Sequence, residues 1–184
     1  MKIKDFIWNS NSVSWSNHEE MIELNLSTIQ FATLDQQNEY VYIECGKDLS
    51  SKTQFYYFSF DGRRIFTYDK INGNISWLYN ERLVEVECED ILTAKLEMKG
   101  AIILVISSGQ HEKEKLIGFT LDGELLFEKE PPKGYHFLYF STVSNKPSVV
   151  CAGERDQADK FGRNDWHFKI DTKTGDLLKS NLAY

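Results

Sequence analysis

Tyr57-Phe58-Ser59-Phe60-Asp61-Gly62-Arg63-Arg64-Ile65-Phe66 runs from apolar residues through Asp-Gly and back to apolar residues. Asp-Gly between two such runs is the strongest short-range signal for a β-hairpin, and it predicts a tight primed turn with positive φ at both central residues. The phrase recurs as Ile117-Gly118-Phe119-Thr120-Leu121-Asp122-Gly123-Glu124-Leu125-Leu126-Phe127. A third copy has a longer turn: His167-Phe168-Lys169-Ile170-Asp171-Thr172-Lys173-Thr174-Gly175-Asp176-Leu177-Leu178. Asp61 and Asp122 are 61 residues apart, and Asp122 and Asp171 are 49 apart. Repetition at this scale marks a β-repeat architecture.

Each phrase closes a unit of an outer strand, an apolar strand, a polar loop, a strand ending in Asp, and a last strand. The expected fold is all-β: three antiparallel four-stranded meanders in one domain over residues 1–184. Residues 40–80, 81–130 and 131–184 form the three units. Residues 1–39 form an edge or partial blade, with β-structure preferred over the short helix that Ser16-Asn17-His18-Glu19 could start. Five of the six residues from Phe55 to Phe60 are aromatic, which predicts neighbours on both faces of that strand. Leu83 to Asp90 alternates strictly, with Val84, Val86 and Cys88 on one face and Glu85, Glu87 and Glu89 on the other.

The units resemble propeller-type repeats of the WD and PQQ-like classes, whose blades are four-stranded antiparallel meanders. Ile170-Asp171-Thr172-Lys173-Thr174-Gly175-Asp176-Leu177-Leu178 is similar to the Asp-x-x-x-Gly-x-Leu-Leu turn of PQQ-like blades. The Trp that closes that motif is missing after Leu178. Three units are fewer than the four to eight of closed propellers, so the resemblance implies a propeller-like topology that is incomplete or open. It transfers no cofactor-binding residue.

The 184 residues carry 21 Lys and Arg against 28 Asp and Glu, a net charge of −7. Acidic balance repels nucleic-acid phosphates and anionic lipid, so neither is expected as a partner. A basic protein fits it. Cys45, Cys88 and Cys151 are odd in number, widely spaced and set in or beside apolar strands, which predicts buried, unpaired thiols. The N-terminus has no apolar leader and no run is long enough to span a bilayer, so a cytoplasmic protein is expected.

Catalytic patterns are weak. His18, His111, His136 and His167 form no ligand-like or catalytic pair, and no Gly-x-Ser-x-Gly elbow or phosphate-binding glycine loop occurs. No cofactor and no metal are expected. The densest polar stretch is Gly153-Glu154-Arg155-Asp156-Gln157-Ala158-Asp159-Lys160-Phe161-Gly162-Arg163-Asn164-Asp165, followed by Trp166. Loops on a rigid scaffold carry recognition, and Arg and Trp are enriched at interface hot spots. The expected activity is therefore non-enzymatic binding of a basic protein. The candidate contacts are Glu19, Glu20, Glu23, Glu85, Glu87 and Glu89, with Arg155, Asp156, Asp159, Arg163, Asp165 and Trp166 in the loop. In class the chain resembles bacterial toxin-immunity proteins, compact acidic domains that cover a basic toxin. A small-ligand binder or enzyme with its site at the mouth of the blades is the alternative.

Overall fold

The computed structural model describes residues 3–18, 20–97, 101–108 and 114–183. The protein is all-β, and the 3-10 turn Arg155–Gln157 is the only helical element among the described residues. The chain divides into two compact units, residues 1–87 and 88–184.

In the first unit, β1 (Lys4–Trp8), β2 (Ser12–Asn17) and β3 (Glu20–Asn25) form a three-stranded antiparallel sheet. A six-stranded sheet follows: β4 (Ile29–Asp35), β5 (Tyr40–Gly46), β6 (Lys52–Ser59), β7 (Arg64–Asp69), β8 (Asn74–Tyr79) and β9 (Arg82–Glu87). The small sheet alternates apolar and polar residues and turns Val13 and Trp15 inward. These pack with Ile29, Ala32, Val41, Ile43, Cys45, Phe58 and Phe60. Trp15 is fully buried, and its indole Nε1 donates to the Phe60 carbonyl at 2.8 Å, which satisfies the one polar atom that burial would otherwise strand.

The aromatic strand β6 does have neighbours on both faces. Phe58 joins the core just described, while Phe55 and Tyr57 point the other way. There Tyr42, Tyr57 and Phe66 make a ladder of ring contacts 4.9 and 5.3 Å apart, and Phe55 stacks on Tyr68 at 4.4 Å. Burial, assisted by neighbouring phenols, raises the Tyr42 and Tyr57 hydroxyl pKa values above the ordinary tyrosine value.

In the second unit, β10 (Ile91–Glu97), β11 (Ile102–Ser107), β12 (Lys115–Thr120) and β13 (Leu125–Lys129) form one four-stranded sheet. A second contains β14 (Tyr135–Val143), β15 (Lys146–Gly153), β16 (Asp165–Ile170) and β17 (Leu177–Leu182). Ile102, Leu104, Ile106 and Leu116 pack with Phe137, Val149, Cys151, Phe168 and Ile170. The Phe127 ring lies over Gly118 on β12 and against Gly175 in the β16–β17 turn; a Cβ at either glycine would stand 2.4 Å from it. Lys129 Nζ reaches Asp176 Oδ1 at 2.8 Å beside this contact.

Among the described residues the sheets number four, with three, six, four and four strands, instead of three sets of four. β9 hydrogen-bonds to β8, which lengthens the sheet begun by β4, and the N-terminal strands form a sheet of their own. The repeat persists inside this layout. In β4–β7, β10–β13 and β14–β17, the Asp turn joins the third and fourth strands, which are adjacent and antiparallel.

The turn type differs from the primed form expected. Gly62 N–H donates to the Ser59 carbonyl at 2.9 Å, Ser59 N–H donates to Arg63 O at 2.9 Å, and only Gly62 has positive φ (+83°). Thr120 to Glu124 repeats this with Gly123 at +91°. These are three-residue loops ending in a glycine bulge, and a second bulge follows in each hairpin, where the register skips Ile65 and Leu126. Two-residue loops with both central residues at positive φ occur instead at Asn80-Glu81 and Ser144-Asn145.

Cys45, Cys88 and Cys151 are unpaired and buried, as expected. Burial pushes their thiols up to about 11, 11 and 12 respectively. No helix among the described residues is long and apolar enough to cross a membrane.

Candidate functional site

One face of the six-stranded sheet changes character along its width. Over β4–β6 it is apolar and carries the core around Trp15. Over β7–β9 the cross-strand partners of that face become Tyr56–Thr67–Ser76–Glu85, and Asn74 pairs with Glu87. Directly paired residues on neighbouring strands share a face, so these side chains form one polar zone. Tyr56 Oη donates to Gln54 Oε1 at 3.1 Å, and Gln54 Nε2 donates to Asp69 Oδ2 at 3.0 Å, so this polar network ends on a carboxylate. Glu85 and Glu87 are exposed on β9, an edge strand. Asn74, Glu85, Val86 and Glu87 line a shallow depression there. Among the described residues neither glutamate has an ion-pair partner. Val84 and Val86 point to the opposite face against Trp77 and Ile75.

The other expected contacts fall into separate groups. Glu20 and Glu23 are exposed on β3, an edge strand of the three-stranded sheet. Glu23 shares the solvent face with Ser14 and its neighbours, while Ile22 turns inward and packs over Gly62. Glu19 lies outside the described residues, as does His111. Glu89 is exposed but stands past the end of β9, in the second unit, where its backbone carbonyl accepts from Ser107 Oγ at 2.7 Å. The alternation through residue 89 therefore overruns the strand; Asp90 adopts φ of +52° and breaks it.

In the 154–165 loop, Arg155 and Asp156 are exposed. Asp159 and Arg163 serve each other: Arg163 Nε and Nη2 donate to Asp159 Oδ2 at 2.9 and 2.6 Å, and these bonds hold the Asp159 carboxyl below the usual range. Asp165 opens β16, and its carbonyl accepts from Ala183 N–H at 3.0 Å. Trp166 belongs to the core margin. It packs against the buried cluster of the second unit, its Nε1 donates to the Gln157 carbonyl at 3.2 Å, and Lys179 Nζ sits 3.8 Å above its ring.

Two groupings were not read from the sequence. Ser148, fully buried, lies 2.5 Å from Ser141 Oγ, which is 2.9 Å from His167 Nδ1. These three polar residues come from three strands, so only sheet register brings them together. On the aromatic face of the first unit, Tyr42 Oη donates to Glu44 Oε1 at 2.8 Å, Glu44 pairs with Lys52, and Lys70 Nζ stands 4.9 Å over the Phe55 ring. Burial lowers the Lys70 pKa. No group of three or more His, Cys, Asp or Glu among the described residues has the spacing to hold a metal ion.

No family model and no curated protein matches the chain. Solved structures do align with it. A Bacteroides fragilis protein assigned as a 6-phosphogluconolactonase aligns at a TM-score of 0.46 and 12% identity, over 91% of this chain and 63% of its own. A Bacteroides caccae protein of unknown function aligns at 0.40 and 11%, over 98% and 72%. A eukaryotic initiation factor aligns at 0.40 and 9%, over 95% and 61%. The chain thus spans less than two thirds of the first of these. At this level of similarity no activity, substrate or partner transfers.

Proposed function

We propose that this chain is a non-enzymatic protein-binding module, built on propeller-like repeats, that captures a basic protein through the acidic zone of β9. The observation that supports this reading best is the pair Glu85 and Glu87. Both are exposed on a free sheet edge with no basic partner among the described residues. Their unit also carries most of the charge: residues 1–87 hold eight Lys and Arg against thirteen Asp and Glu, and residues 88–184 hold thirteen against fifteen. Unneutralised carboxylates on a sheet edge keep the edge from pairing with other chains, and the same charges attract a basic surface. An immunity protein that neutralises a basic toxin is the biological setting this reading favours. A neighbouring gene encoding a basic toxin would identify the partner.

The alternative of an enzyme or ligand binder draws on one contact, Ser141 Oγ to His167 Nδ1. A serine nucleophile needs a base whose other nitrogen is held by a third group, and an oxyanion site. Among the described residues His167 has no carboxylate partner, and Ser141 also bonds the buried Ser148. This chain of bonds is sufficiently explained by the need to satisfy Ser148.

The test is affinity capture of the partner from the native host, followed by binding of the isolated pair at low and high ionic strength. The proposal expects a basic partner whose association weakens as salt rises. Turnover or tight binding of a small molecule, with no protein partner, would replace it with the alternative.

A further inference from the structure

We propose a second docking element in the other unit: the tip of the β15–β16 loop is a rigid aromatic finger that inserts Phe161 into an apolar pocket rimmed by Asp or Glu on a protein partner. Phe161 is 70% exposed. An exposed aromatic on a floppy loop would lose much of its binding energy to ordering, but this tip is ordered by the fold. Asp159 Oδ1 accepts the N–H of Phe161 at 2.8 Å and of Arg163 at 3.0 Å. Asp159 N–H donates to the Arg163 carbonyl at 2.9 Å, and Gly162 N–H donates to the Asp159 carbonyl at 3.0 Å. The base of the loop is tied to the sheet as well, through Gly153 N–H to Asn164 O, Glu154 N–H to Gly134 O, and Trp166 Nε1 to Gln157 O.

The charge at the tip selects the partner. Lys160 Nζ stands 4.9 Å from the centre of the Phe161 ring, and the Arg163 guanidinium stands 5.3 Å from it. Asp159 is bound to Arg163, so the charge offered beside the ring is the Lys160 ammonium, which pairs with no carboxylate among the described residues. A cation beside an exposed ring fits an apolar pocket with a carboxylate rim. An anionic bilayer fits less well than a pocket that takes only the tip, because a bilayer would face the whole loop, whose exposed base adds Glu154 and Asp156 against the single Arg155. This element is opposite in sign to the β9 zone, lies in the other unit and does not depend on it.

The test pans a displayed random-peptide library on the full chain, with depletion on a Phe161→Ala variant, and measures synthetic copies of the recovered peptides by fluorescence anisotropy. The expected peptides carry an apolar cluster flanked by Asp or Glu. Phe161→Ala and Lys160→Glu should each weaken them at least about tenfold, as for an anchor residue. Phe161→Trp should keep binding. The thermal midpoint of Phe161→Ala should match the parent, which separates lost docking from lost folding. The proposal is overturned by recovered peptides that are basic or bind the Phe161→Ala variant equally. It is also overturned by Phe161-dependent binding to phosphatidylcholine–phosphatidylserine vesicles without acidic peptides, or by Phe161-dependent self-association in sedimentation.

Discussion

Gly118→Ala is expected to destabilise the second unit, although alanine normally suits a strand better than glycine. The added Cβ would stand 2.4 Å from Phe127 Cζ, and the retreat of the ring is limited because Gly175 already lies against its Cδ2 and Cγ. Overpacking of this kind costs about 1–3 kcal/mol. Reduced freedom of the unfolded chain returns about 0.4–1 kcal/mol, so a net loss near 1–2 kcal/mol is expected. Gly175→Ala should cost more, about 2–4 kcal/mol, because the same 2.4 Å clash adds to the left-handed penalty at φ of +74°. Phe127→Leu removes the clash and leaves a smaller side chain in the core. The double variant Gly118→Ala/Phe127→Leu should therefore lose less than the sum of its parts, with a coupling of about 1 kcal/mol or more. Urea titration followed by tryptophan fluorescence measures all four species. Strictly additive losses, or a Gly118→Ala variant as stable as the parent, would refute the close packing of Phe127 against Gly118.

At the β8–β9 loop, Glu81→Gly should stabilise the protein by up to about 1 kcal/mol, because Glu81 holds φ of +60° at an exposed position where glycine carries no Cβ penalty; an unchanged or lower denaturation midpoint contradicts this. The three thiols make stability fall in alkali. Their folded values near 11, 11 and 12 lie above the ordinary 9.0, so the folded state keeps protons that the unfolded state loses, and stability is full below pH 9 and declines above it. Three such groups amount to about 4 kcal/mol by pH 10, visible as a falling thermal midpoint that Cys151→Ala flattens by about a third. Native protein should also react slowly with a thiol reagent at pH 8, and denatured protein should release three thiols at once.

Much of the hairpin frame was legible because it is local. Asp61-Gly62 and Asp122-Gly123 sit in hairpins, and the apolar settings of the cysteines foretold their burial. The turn geometry was less legible, since a glycine bulge and a primed turn share the same Asp-Gly signature. Asn80-Glu81 and Ser144-Asn145 carry no glycine at all, and their positive φ is imposed by strand register. Sheet membership is tertiary: nothing within residues 82–87 says that they pair back onto β8 rather than forward. The alternation that exposed Glu85 and Glu87 was read correctly, and it failed only at Glu89, where Asp90 bends the chain. Trp166 looked like a loop residue because a polar run precedes it, yet β16 begins at Asp165 and carries its ring to the core margin. Phe161 is a lone aromatic within a polar stretch, where no sequence pattern marks it. Its exposure depends on the Asp159–Arg163 clasp, which one sequence does not reveal.

The most direct measurement of the central proposal is the association of the captured partner with the parent chain and with Glu85→Lys/Glu87→Lys at two salt concentrations. Both glutamates are exposed on an edge, so the variant should fold as the parent does, with an unchanged thermal midpoint. The expected result is a basic partner, slower association at high salt for the parent, and a slower, nearly salt-independent association for the double variant. Equal association rates for the two chains at both salt concentrations would contradict it.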